Sequence, residues 1–190
     1  MVYQDAVLTP GPSFATAAQA LLQALGITPT PVNTALVVAW EWAEWGGTND
    51  ITLTNNPLAD ELAAPGSTDW NSAGVQVYPS LAVGAAANAQ TLRGFPTLVQ
   101  ALANSDPATF FGATGMQDLA DWAGGPGNPN YGYAQQVAGN FQALGGQVAA
   151  GGATLVPVVS GPVVAGIGGV LLGLVLLSGG IVEEERTAVR

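Results

Sequence analysis

The sequence predicts a mainly α-helical domain with one short extended element, followed by an apolar helical segment of transmembrane type. Three features point there. Between residues 13 and 145, apolar residues recur at helical spacing, punctuated by Pro, Gly, Ser and Asp where helices start and stop. Apolar and polar residues alternate in Gly74–Tyr78, GVQVY, the pattern of a short strand. From Val148 to Val182 no residue is charged, in a chain where charged residues make up 8% against an average of about a quarter.

Residues 1–12 read as an extended lead-in closed by Pro10-Gly11-Pro12. They lack the basic and apolar regions of a secretory signal. Ser13 is placed to cap a helix running to Leu25, with Phe14, Ala17, Leu21, Leu22 and Leu25 on one face, and Gly26 ends it. In the following ITPTP stretch, Pro29 and Pro31 block helical continuation. Asn33 then caps a second helix that runs to Trp45 and stops at Gly46-Gly47. Residues 48–73 read as irregular, and a connection that long is usually functional or mobile. GVQVY follows as a strand or groove edge. Ser80 caps a third helix through Leu92, and Pro96–Ala103 forms a fourth. Asp106-Pro107 opens another turn, with Pro at the favoured first position. Met116–Trp122 is a short helix, 124–130 a loop, and Tyr131–Leu144 the last helix. The helical domain thus spans 13–145, and 146–154 is a Gly-rich linker. Residues 155–182 form an apolar segment long enough to cross a bilayer, for which about 20 residues suffice. In the charged tail 183–190, Arg186 and Arg190 favour the cytoplasmic side, with the main domain outside.

Charge and composition exclude several functions. Thirteen acidic residues face three basic ones, Arg93, Arg186 and Arg190, for a net charge of −10. Nucleic-acid affinity comes mainly from Lys and Arg neutralising phosphates, so no nucleic-acid partner is expected. A basic patch for anionic lipid head groups is excluded on the same ground. Cys and His are absent, which removes the thiol nucleophile, imidazole bases and the usual zinc ligand sets. No metal or cofactor is expected, and acid–base chemistry must rest on carboxylates, helped by Tyr.

Glu44 is the first candidate for that chemistry. It lies in the last helical turn before Gly46, flanked by Trp40 and Trp45. The negative end of the helix dipole and desolvation by indole rings both raise a carboxyl pKa, as an acid that must stay protonated near neutrality requires. Desolvation is the larger effect, since the dipole contributes only about 0.3–1 kcal/mol. Glu41, one turn earlier, can couple to it by like charge, though its plain reading is a carboxylate on the helix surface. Among the tryptophans, Trp40 is assigned to the core and Trp45 to a groove, with Trp42 open. Asn55-Asn56-Pro57-Leu58 reads as a turn whose amides can also bind sugar hydroxyls. Asp50, Asp60, Glu61 and Asp69 are each candidates for the second carboxylate of a glycosidase pair.

The sequence carries Glu44 before Gly46-Gly47, then NNPL, then PGSTDWNSAGVQVYPSLAVGAAANAQTL, then a late YGYAQQV segment. Over residues 14–145, this order resembles the lysozyme-like peptidoglycan hydrolases associated with phage virions and tails. These are related to goose-type lysozymes and soluble lytic transglycosylases. The resemblance implies a helical lysozyme-like domain that cleaves glycan strands between N-acetylmuramic acid and N-acetylglucosamine, as a muramidase or a lytic transglycosylase. It places Glu44 as general acid and Asn55, Asn56, Gln76 and Tyr78 along the sugar groove, with Tyr131 or Tyr133 approaching the site. The family usually has Glu directly before Gly-Gly, whereas Trp45 intervenes here. The implied setting is a phage particle that opens the wall during entry while 155–182 engages a membrane. Self-association or contact with other virion proteins is also open. The alternative is a catalytically degenerate glycan-binding or structural virion protein, anchored through the apolar segment.

Overall fold

The computed structural model describes residues 12–46, 50–125 and 127–146. Within them the elements run α1 (Pro12–Ala24), α2 (Pro31–Trp45), α3 (Asp50–Thr54), β1 (Thr68–Asp69), β2 (Gln76–Val77), α4 (Leu81–Leu92), α5 (Pro96–Asn104), α6 (Pro107–Phe110), α7 (Ala113–Gly124) and α8 (Tyr131–Ala143). The domain is therefore mainly helical. The apolar segment 155–182 and the tail 183–190 lie outside the described residues, as does the lead-in before Pro12. Among the described residues, no helix is long and apolar enough to cross a membrane.

Helix α2 is the centre of the packing and lies against α1, α5 and α8. It buries Leu36, Val37, Val38, Ala39 and Trp40. Its start differs from the expectation. Thr30, not Asn33, is the cap, and Pro31 begins the helix instead of blocking it. Proline suits that first position because its missing N–H would have no helical partner there. Asn33 completes a reciprocal capping box: its side-chain Oδ1 accepts from the Thr30 N–H at 2.7 Å, while its own N–H donates to Thr30 Oγ1 at 3.2 Å. The Asn33 amide also donates to the Leu102 carbonyl at 3.2 Å, tying α5 to the start of α2. Gly46, at φ +58°, ends α2 in the left-handed conformation that glycine tolerates best.

The connection expected to be irregular contains α3 and one strand of a two-stranded ribbon. Strands β1 and β2 are antiparallel, with Thr68 opposite Val77 and Asp69 opposite Gln76. Asn56 joins this ribbon to the helices. Its Oδ1 accepts from the Asp60 N–H at 2.9 Å and from Asn88 Nδ2 at 3.0 Å. Its Nδ2 donates to the carbonyls of Asp60 at 2.8 Å and Gln76 at 2.9 Å. The buried amide thereby satisfies all its hydrogen-bonding capacity. Helix α4 comes close because residue 84 is glycine: a Cβ there would sit 1.8 Å from the Asn55 carbonyl oxygen. The outcome is a rigid wall, residues 58–62, standing beside the end of α2.

Candidate functional site

Glu44 projects from the last turn of α2 into a cleft of about 730 Å³. Helices α7 and α8 supply the groups that hold it. The Trp122 indole N–H donates to Glu44 Oε1 at 2.7 Å, and the Tyr133 hydroxyl donates to the same oxygen. Both of these bonds fall on Oε1, and none among the described residues falls on Oε2. Trp122 is itself fixed by ring contacts, with Trp40 edge-on at 5.1 Å and Phe95 at 5.6 Å.

Burial raises the Glu44 pKa to about 7. The bonds from Tyr133 and Trp122 pull it down, and the charge of Asp60 pushes it up. The Trp40 indole N–H makes no hydrogen bond among the described residues, yet it pulls the Glu44 pKa the same way as the two donors. Desolvation wins because both donors act on one oxygen of a carboxylate that has lost most of its water. Tyr133 is also raised, by burial first and then by Glu44, so it stays protonated as a donor.

The 58–62 wall also lines the cleft. Asp60 is buried there, with Oδ2 accepting from Thr91 Oγ1 at 2.8 Å and Oδ1 from the Leu62 N–H at 3.2 Å. Glu61 lines the cleft from the same wall and Asp121 from the α7 side. The other two carboxylates considered are not among the lining residues: Asp50 begins α3, and Asp69 Oδ1 accepts from Gln76 Nε2 at 2.7 Å within the ribbon. Among the described residues, no group of acidic side chains is arranged to hold a metal ion.

Of the predicted site residues, Glu44 and Tyr133 come together in the cleft. The others stand behind its wall or away from it. Trp45 is a core residue and not a groove residue: its indole N–H donates to the carbonyls of Asn56 at 3.0 Å and Pro57 at 3.1 Å. Asn56 and Gln76 are buried and spend their amides on the backbone and on side chains of the wall and ribbon. Tyr78 is buried too, donating to the Leu62 carbonyl at 2.7 Å. Asn55 donates to the Tyr78 carbonyl at 2.9 Å and borders a separate small hollow. Tyr131 is exposed and pairs with Gln117. Glu41 is not on the helix surface. It is fully buried, and neither carboxylate oxygen has a hydrogen-bond partner among the described residues. Trp42 is half-buried against Phe14, with ring centroids 5.3 Å apart.

Sequence reasoning missed Trp122 and Phe95 as site residues. Their only local signal is an aromatic beside a helix boundary, Trp122 before the 124–130 loop and Phe95 before Pro96. Compared with family models, curated proteins and solved structures, the chain matches none of them.

Proposed function

We propose that the domain is a lysozyme-like peptidoglycan glycosidase in which Glu44 is the general acid. The observation that carries this reading is the division of labour on one carboxyl group. Oε1 accepts two hydrogen bonds, which makes Oε2 the oxygen that carries the proton in this reading. A pKa of about 7 keeps that proton in place near neutrality.

The step follows from this arrangement. Oε2–H donates its proton to the glycosidic oxygen as the C1–O bond breaks, and the leaving sugar departs as an alcohol. Positive charge develops on the sugar ring, and the Asp60 carboxylate in the 58–62 wall offers it a compensating field. Glu44, now ionised and still held by Trp122 and Tyr133, accepts a proton from the attacking hydroxyl. That hydroxyl belongs to water in a hydrolase, or to the sugar's own 6-position in a transglycosylase that leaves a 1,6-anhydro end. Delivery by a phage particle and membrane engagement by 155–182 complete the proposal and rest on the sequence.

A second reading is a glycan-binding or structural virion module. It is favoured by the internal bonding of Asn56, Gln76 and Tyr78, which leaves few neutral polar groups for sugar hydroxyls. Muropeptide release from purified sacculi by the full chain separates the two. The enzyme reading predicts release by the natural chain and a loss of about 10²–10⁴-fold in Glu44→Gln. Sacculus binding without release would favour the second reading, and full activity in Glu44→Gln would remove Glu44 from its role.

A further inference from the structure

The ribbon tip carries a large apolar side chain that the fold does not use. Trp70 is 42% exposed. A single exposed apolar residue needs no explanation by itself; Trp70 differs through where the ribbon puts it. Just beyond the Asp69–Gln76 pair, the Trp70 N–H donates to the Val75 carbonyl at 2.6 Å. Val75 lines the Glu44 cleft, and Trp70, joined to it across the ribbon, stands next to the cleft lining without being part of it. Residues directly opposite in an antiparallel pair project to the same face. Asp69 and Gln76 are such a pair, and their side chains bond each other at 2.7 Å.

The tip is also stiff. Asn71 Oδ1 accepts from the N–H groups of Ala73 at 3.0 Å and Val75 at 3.3 Å, closing the turn. Gln76 Nε2 braces it through the Gly74 carbonyl at 2.8 Å. The Gln76 N–H then fastens the ribbon to the cleft wall at the Asp60 carbonyl, 3.0 Å away. A ribbon braced this way carries the flat apolar indole on a backbone that loses little freedom when it binds.

We infer that Trp70 is a stacking platform for a sugar ring just beyond the Glu44 cleft, so that the protein grips a glycan strand longer than the cleft itself holds. The inference rests on the glycan reading of that cleft. Sugar rings offer an apolar C–H face that matches an exposed indole, and the platform extends the cleft along the ribbon.

The test uses the full chain carrying Glu44→Gln, which keeps the cleft and lacks the acid, so binding is measured without cleavage. Soluble, uncross-linked glycan strands of alternating N-acetylglucosamine and N-acetylmuramic acid are titrated by calorimetry, alongside the disaccharide. Adding Trp70→Ala is expected to weaken long-strand binding about tenfold and leave disaccharide binding alone, while Trp70→Phe stays within about threefold. The thermal midpoint stays unchanged, because Trp70 is a surface residue. Equal long-strand affinity in Trp70→Ala would overturn the platform and leave the cleft standing. If the Glu44→Gln chain binds no glycan, the cleft reading fails and the platform fails with it. If it binds but the natural chain does not cleave, the Trp70 comparison still decides the platform.

Discussion

Glu41 and Glu44 stand one turn apart on the same helix and show how the same side chain takes opposite roles. Glu44 reaches donors and a cleft; Glu41 reaches neither. Burial raises the Glu41 carboxyl well above its ordinary 4.5. A raised acid holds its proton more tightly in the folded state than in the unfolded chain. Its contribution to folding is therefore fully present below about pH 4.5 and is lost as pH rises through the folded value. Glu41→Met removes two unpartnered oxygens while keeping most of the volume, and is expected to gain about 1–3 kcal/mol in urea unfolding. The gain is expected to be larger at pH 8 than at pH 5. A loss of stability in Glu41→Met would mean that the carboxyl has a partner that holds the fold together.

At this scale Glu44 was legible because its cues are local: the last turn of a helix, with Trp on either side. Its donors were not, because Trp122 lies 78 residues away and Tyr133 lies 89 residues away. Asn56, Gln76 and Tyr78 were misplaced for a different reason. A polar side chain near a groove can bond the backbone as readily as a ligand, and most such side chains do. Trp45, which separates Glu44 from Gly46-Gly47, turns inward to hold the Asn56 and Pro57 carbonyls. It supports the cleft wall while Glu44 keeps its place in the cleft.

Among the elements, α4 and the 55–60 turn form the joint on which the cleft wall depends. The Asn55 carbonyl approaches α4 at Gly84 more closely than any Cβ allows, and Tyr78 presses on the same spot, with Cδ2 2.8 Å from where a Cβ would be. Asn88, one turn further along, accepts the Leu58 N–H at 2.8 Å. Gly84→Ala must push the turn off the helix. It is expected to cost about 2–4 kcal/mol, read as a lowered urea midpoint, and to reduce glycan cleavage by moving Asp60. An unchanged midpoint would mean that the contact relaxes without cost. The helices themselves were readable where proline or a capping side chain marks the start, as at Ser80, Pro96 and Asp106. Helix α3 was not, because its five residues, DITLT, are too short to show a period. The start of α2 was misread because Pro31 serves equally as a breaker and as a first helical residue.

For the molecule as a whole, the cleft exists only where three separate parts of the chain meet: the end of α2, the α7–α8 pair, and the wall pinned by Asn56. The described surface around it carries no Lys or His, and its one Arg, Arg93, donates to the Ala24 carbonyl at 3.4 Å and does not line the cleft. Charge in the cleft is thus set by carboxylates alone, and the protonation of Glu44 is the variable that pH controls. The most direct measurement of this account is the pH dependence of muropeptide release by the full chain beside Tyr133→Phe. Because the acid must be protonated, release is expected to fall as pH rises through about 7. The Tyr133 hydroxyl lowers the Glu44 pKa, so Tyr133→Phe is expected to move that falling limb to higher pH. A rate that stays flat from about pH 6 to 9, or a limb that Tyr133→Phe leaves in place, would contradict the assignment of Glu44 as the acid.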